Sequence, residues 1–318
     1  MIDLAVVIVT WNVRDLALNA IQTLMDDLAQ TEITYSIYLV DSASADGTAE
    51  AVEAQFPEVN VTASIKNLGF AGGNNVALRQ IGFGNPDVSE DALPRAVYLL
   101  NPDTITTSGA TKQLFDHLMT SESVGVVGAH LSYEDGSFQD SAFQFPGLKQ
   151  LWVEFFPTPG RFIMGEFNGR YPQSFTSGTT PFQVDFMLGA TMMLKREVIM
   201  ETGMFDEAFF MYCEETDWQW RIRKAGWGIE CVPSAHVVHL AGKSTTQIRA
   251  QSQINLWTSR LILFRKHYPK WKLAVARLMI AVGMWRKERA VHHDRNLADD
   301  QKAELVYAFR LIRRMTLK

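Results

Sequence analysis

Leu4–Thr10 is a nearly continuous run of aliphatic and β-branched residues, the pattern of a strand buried on both faces. From Asp15 to Gln30 the apolar positions Leu16, Ala20, Ile21, Leu24 and Leu28 recur at helical spacing. Ser36–Val40 reads as a second strand, Asp46-Gly47 as a turn, and Thr48–Gln55 as a short helix. Val59–Ile65 alternates as a third strand, and a loop over Asn67–Asn74 leads to a helix over Asn75–Gln80. Ala96–Leu100 is a further strand, followed by Asn101-Pro102-Asp103, and Val124–Ala129 is another. This alternation predicts an α/β fold, a mostly parallel central sheet flanked by helices. Ligands of such sheets sit beyond the carboxyl ends of the strands, and Thr10, Asp41, Asn67 and Asp103 all fall there.

Beyond residue 130 the pattern loosens. Phe145–Phe182 is rich in Pro, Gly and aromatic residues and is expected to be irregular. Order returns at Val184–Leu194, then in a helix over Glu214–Ala225 capped by Gly226, and in two strands, Gly228–Val232 and Ala235–His239. The tail from Gln247 onward is helical in composition, with Trp257, Leu261, Phe264 and Tyr268 on one stripe. Its second apolar stretch, Leu273–Trp285, is too short to span a bilayer. Tryptophans at 271 and 285 and flanking Lys and Arg suit an amphipathic helix lying in a membrane interface; the alternative is a tail packed on the body or on another subunit.

Charge sharpens that picture. Residues 1–242 hold 13 Lys+Arg against 30 Asp+Glu, whereas residues 243–318 hold 17 against 5, so a net of −5 conceals an acidic body and a basic tail. Such a tail suits an anionic partner, membrane or nucleic acid, or its own acidic body. No groove-reading motif accompanies it, which argues against nucleic acid. Two cysteines, Cys213 and Cys231, are too few for a disulfide framework, and the apolar start lacks a basic n-region, so a cytoplasmic protein is expected.

The glycine-bearing segment Gly69-Phe70-Ala71-Gly72-Gly73 is neither GxGxxG nor a P-loop, which disfavours a dinucleotide enzyme or an ATPase. Asp103 and His239 offer oxygen and nitrogen ligands at strand ends, and Glu214, Glu215 and Asp217 cluster at a helix start. A divalent ion bridging a diphosphate needs only one or two protein ligands, and an attacking hydroxyl needs one carboxylate within hydrogen-bond reach. Taken singly, each of these residues has a plainer use as a cap, a turn residue or a macrodipole partner.

Together they occur in seven ordered blocks: VVIVTWN at 6–12, LVDSASADGT at 39–48, NLGFAGGNN at 67–75, LLNPDT at 99–104, LGATMMLKRE at 188–197, GMFDEAFFMYCEETDWQWR at 203–221 and VPSAHVVHLAGKS at 232–244. In these the chain resembles the family 2 glycosyltransferases of the GT-A fold, especially the rhamnosyltransferase-like branch. The resemblance covers about residues 1–245, implying a donor half near 1–130, an acceptor half near 131–245 and a basic helical extension over 246–318.

The resemblance implies a nucleotide-sugar donor held near Thr10, Asn12, Asp41, Ser42, Asn67, Gly72, Asn75, Asn101 and Asp103. Asn101-Pro102-Asp103 stands where the family has Asp-x-Asp, so Asp103 is expected to ligate Mg2+ or Mn2+, with His239 as second ligand. Asn101 removes one charge from that motif, so the donor's phosphates must supply more of the anionic field. Glu215, or Glu214 beside it, matches the general base of an inverting displacement. The donor implied is dTDP-rhamnose, with UDP-hexose or UDP-N-acetylhexosamine as alternatives, and the acceptor a glycan or polyprenyl-diphosphate-linked sugar of cell-wall or surface polysaccharide. Such a transferase would work at the inner face of the membrane. A homo-oligomer is left open, and a catalytically inactive nucleotide-sugar-binding relative is the rival reading.

Overall fold

The computed structural model describes residues 2–240, 249–294 and 297–317. The expected division at 245/246, the end of the last motif at 241–244 and the start of the tail at 247–248 lie outside the described residues. The strands are β1 (Leu4–Thr10), β2 (Tyr35–Ser42), β3 (Asn60–Ser64), β4 (Ala96–Leu100), β5 (Thr104–Thr106), β6 (Val124–Ser132), β7 (Phe138–Gln139), β8 (Ala142–Phe143), β9 (Phe182–Gln183), β10 (Phe186–Met187), β11 (Thr191–Lys195) and β12 (Gly228–His239). The α-helices are α1 (Arg14–Leu28), α2 (Thr48–Gln55), α3 (Gly69–Ile81), α4 (Ala110–Thr120), α5 (Leu148–Phe155), the one-turn α6 (Gly160–Ile163) and α7 (Gln173–Thr176), α8 (Arg196–Thr202), α9 (Glu214–Lys224), α10 (Arg249–His267), α11 (Lys270–His293) and α12 (Asp299–Met315).

The main sheet runs β3-β2-β1-β4-β11-β6-β12-β5. β1 pairs in parallel with both β2 and β4, and β6 pairs in parallel with β12. β11 lies antiparallel between β4 and β6 within the otherwise mostly parallel sheet, a reversal that local patterns do not mark. Being reversed, β11 brings its amino-terminal Gly189-Ala190 to the rim where β1, β2, β4 and β12 end. Chain order reverses on either side of β1, which opens a crevice at that rim.

One apolar cluster fills the side of the sheet facing α1 and α4, and a second joins α3, α8 and α9 to the other side. Two expectations are corrected. The segment expected as a loop over Asn67–Asn74 is helical from Gly69, because a Cβ on Gly73 would stand 2.6 Å from the Val9 side chain: this glycine lets α3 lie directly on β1. The two strands expected over 228–239 are one, β12, with a register shift between Val232 and His236 around Pro233.

The tail helices form a third cluster. Trp257, Leu261, Phe264 and Tyr268 of the α10 stripe are buried together with Leu151 and Phe155 of α5 and with Phe209. Thus the irregular stretch after Phe145 contains a helix, α5, that receives the tail.

Candidate active site

A cavity of about 520 Å³ opens at the carboxyl rim of the sheet. The ends of β1, β2, β4 and β12 supply Thr10, Ser42, Asn101, Asp103 and His239, and Asn67 enters from the loop before α3. The opposite wall is Leu188-Gly189-Ala190 and the start of α9, with Glu214 and Glu215.

β5 sets the metal-competent corner. Its His239↔Thr104 pairing with β12 is extended by a hydrogen bond from the Leu240 N–H to the Asp103 carbonyl at 2.9 Å. The Asp103 carboxylate therefore meets His239, with Oδ1 3.2 Å from Nε2, and both side chains are buried. His239 Nδ1 lies 3.2 Å from Gln139 Oε1, which orients the ring so that Nε2 faces Asp103 and the cavity. Asn101 Nδ2 stands 3.5 Å from the same Nε2. Among the described residues no group of three or more His, Cys, Asp or Glu could hold a metal ion. Asp103 and His239 are thus a two-ligand set, which fits a cation whose remaining ligands come from a diphosphate and water.

The acidic wall depends on an unusual backbone. Tyr212 and Cys213 both have positive φ, 70° and 65°, immediately before α9, turning the chain so that Glu214 and Glu215 face the cavity. One carboxylate oxygen of each, Oε2, is buried with no hydrogen-bond partner. Burial pushes both carboxyls above the usual carboxylate range, Glu214 furthest because the Glu215 charge adds to the effect of burial. Gln219 fixes α9 to β10 by a two-way bond with the backbone of Met187, at 2.7 and 2.8 Å. Asp217 joins α9 to α10 through His267 and Lys266.

Of the other expected donor contacts, Thr10 and Ser42 line the cavity, whereas Asn12, Asp41, Gly72 and Asn75 do not. The Thr10 hydroxyl lines the cavity and donates to Asp41 Oδ1 at 2.8 Å, while Asp41 itself is buried and accepts from the Ser44 N–H at 2.9 Å. Asn12, at φ 52°, turns away to accept from the Ala45 N–H at 2.7 Å, and Trp11 takes its place at the cavity. Asn75 bonds both backbone groups of Phe205, at 2.9 and 3.1 Å, and Gly72 also lies off the wall. Ser42 lines the cavity with an unpartnered buried hydroxyl. The pattern of the sequence does not reveal Trp11, Phe70, Phe210 or the α10 residues Gln251, Ser252 and Asn255 as lining residues.

Over 220 residues the chain is 30% identical to an N-acetylglucosaminyl-diphospho-decaprenol L-rhamnosyltransferase of Mycobacterium tuberculosis, covering 68% of this chain and 69% of the relative. Over 178 residues it is 28% identical to rhamnosyltransferase WbbL of Escherichia coli K12, covering 54% and 61%. In shape it matches GalNAc-T7, solved with UDP, GalNAc and Mn2+, at TM-score 0.57 and 13% identity, over 98% of this chain and 56% of that one. It also matches the mannosyltransferase PcManGT of Pyrobaculum calidifontis, solved with GDP-Man and Mn2+, at TM-score 0.55 and 15% identity, over 99% and 88%. Both likenesses show the GT-A fold. A sequence profile described as glycosyltransferase like family 2 matches residues 3–254, and the chain belongs to that family.

Proposed function

We propose that the protein is an inverting, divalent-metal-dependent transferase that moves L-rhamnose from dTDP-rhamnose to a hydroxyl of a polyprenyl-diphosphate-linked sugar, in the building of a cell-wall or surface polysaccharide. The observation that carries the reading is one cavity lined by both the Asp103/His239 pair and two buried carboxyls with unpartnered oxygens, Glu214 and Glu215. The rhamnose and lipid-linked parts rest on the names of the two relatives.

In this reading Asp103 and His239 would hold Mg2+ or Mn2+, with Asn101 beside them. A cation bound there supplies neutralisation of the departing diphosphate's charge. Ser42 and Asn67 offer polar groups to the donor, and Trp11 and Phe70 offer apolar surface. Glu215 takes the proton from the acceptor hydroxyl; that oxygen forms the new bond to the anomeric carbon as the bond to the diphosphate breaks, and the nucleoside diphosphate leaves. A carboxyl whose pKa is raised by burial is a stronger base than one in water, which suits it to a weakly acidic hydroxyl. Peripheral attachment at the cytoplasmic face of the membrane, with the basic C-terminal helices toward the lipid, completes the proposal.

The test is slow hydrolysis of a nucleotide-sugar panel without acceptor. Release of dTDP from dTDP-rhamnose should exceed release of UDP from UDP-glucose or UDP-N-acetylglucosamine and stop in EDTA. Equal rates for all donors would remove the rhamnosyl assignment, and activity unaffected by chelation would remove the metal.

A further inference from the structure

α11 is apolar on two opposite faces, so it is not the one-sided amphipathic helix expected from its composition. Its inner face, with Ala276, Ile280 and Met284 all at 0% exposure, packs in the third core cluster with α5 and α12. Its outer face shows Trp271, Val275, Leu278, Val282 and Trp285, exposed by 66, 39, 65, 38 and 41%. The steps between them are four, three, four and three residues, so at 100° per residue they fall within an arc of about 80° and form a strip about 21 Å long.

Cations border this strip. Lys270 and Lys272 stand at its start, and Arg286 and Arg289 at its end. The Arg289 guanidinium lies 4.2 Å from the Trp285 ring centre, and that of Arg286 lies 5.8 Å from the ring of Phe156. Phe156 in turn packs on Trp152, itself 48% exposed, so apolar surface continues from α11 onto α5. The one carboxylate of α11, Glu288, is buried and taken up by Arg310 at 2.7 Å and Arg313 at 3.4 Å.

We infer that the outer face of α11, together with Trp152, docks flat on an anionic lipid bilayer, with the tryptophans among the headgroups and the Lys and Arg side chains on lipid phosphates. This rests on the membrane-facing reading of the extension given above and names its face and its lipid chemistry. A second copy is the poorer occupant, because pairing two strips would set basic borders against basic borders with no free carboxylate on this helix to offset them. Among the described residues no helix is long and apolar enough to cross a membrane, so the contact lies in the plane of the interface. The site is close: Glu154 bridges Lys287 of α11 to Arg260 of α10, little more than one turn beyond Asn255 at the cavity. Docking by this face would hold the cavity near the surface from which a lipid-linked acceptor presents its sugar.

Co-sedimentation of the full chain with vesicles tests the inference. Wild type should bind vesicles containing phosphatidylglycerol, bind pure phosphatidylcholine weakly, and be released as salt is raised. The triple substitution Trp271→Ser, Leu278→Ser, Trp285→Ser should weaken partition about tenfold or more, because it removes the largest exposed apolar side chains of the strip. Nucleoside diphosphate release by that variant should equal wild type, which certifies its fold. Equal vesicle binding by variant and wild type would overturn the face. Failure of wild type to bind any vesicle would overturn the membrane reading while leaving the transferase reading to its own assay. A wild-type dimer lost in the triple variant, without vesicle binding, would assign the strip to a second copy.

Discussion

Asp217→Asn probes the joint between the helix that carries the acidic pair and the C-terminal extension. The Asp217 carboxylate is 0% exposed and accepts from His267 Nε2 at 2.8 Å, Lys266 Nζ at 2.9 Å and Arg221 Nε at 3.1 Å. Burial alone would raise its pKa, but the His267 bond, then Lys266 and Arg221, outweigh burial and hold it at about 2. A fall from 3.8 to about 2, at roughly 1.4 kcal/mol per pKa step, corresponds to roughly 2.5 kcal/mol of stability. Removing one partner of a buried ion pair costs about 3–5 kcal/mol in general. Here Lys266 keeps Asp206 at 2.6 Å and Arg221 keeps the Met204 carbonyl at 2.7 Å, so a loss of about 2–3 kcal/mol is expected. Because the folded pKa is depressed, this stability is fully present above the unfolded value near 4 and is lost as pH falls from there toward 2. Urea unfolding followed by tryptophan fluorescence should show the full gap between variant and wild type at pH 7 and 5, and a narrowing gap below pH 4. A gap under about 1 kcal/mol at pH 7, or one that widens with acid, would refute the reasoning.

Glu215→Gln keeps the volume but removes the base: turnover should fall about 100-fold to 10,000-fold with donor KM retained. In wild type the acid limb of kcat/KM should lie above the ordinary carboxylate range, because carboxyls with raised pKa must lose their protons before one can act; a limb at pH 4 or below would contradict the pair's burial. Asp103→Ala should raise the Mg2+ concentration needed for half-maximal donor turnover about tenfold or more, read by metal titration. Gly69→Ala places a Cβ 2.1 Å from the Phe210 carbonyl at φ +67°, and should lower stability by at least about 2 kcal/mol in the same unfolding assay.

Elements with a pure pattern were legible in the sequence: Leu4–Thr10, Thr48–Gln55 and Ala96–Leu100 have the same bounds in the structure. Glycine was misleading at Gly73, where it reads as loop but serves a helix pressed on a strand. Strand direction is not written locally, so the antiparallel β11 was invisible, and with it the way Gly189 reaches the rim. Strand alternation would place Thr10 and Asn12 on one side; β1 ends at Thr10, Asn12 has a positive φ, and it is Trp11 that lines the cavity with Thr10. Gln251, Ser252 and Asn255 look like a solvated helix start, and only packing of α10 against the body brings them to the cavity. The two-faced α11 was legible as apolar and basic, but which face is covered depends on α5, itself hidden in a Pro- and Gly-rich stretch.

The central claim is transfer of a sugar from a nucleotide by displacement assisted at Glu215. It is tested most directly by incubating the protein with dTDP-rhamnose, Mg2+ and a polyprenyl-diphosphate-linked N-acetylglucosamine, and determining the product's anomeric configuration by NMR. The account predicts a rhamnosylated lipid with configuration opposite to the donor, formed by wild type and not by Glu215→Gln. A product of retained configuration, or one formed equally well by that variant, would contradict it.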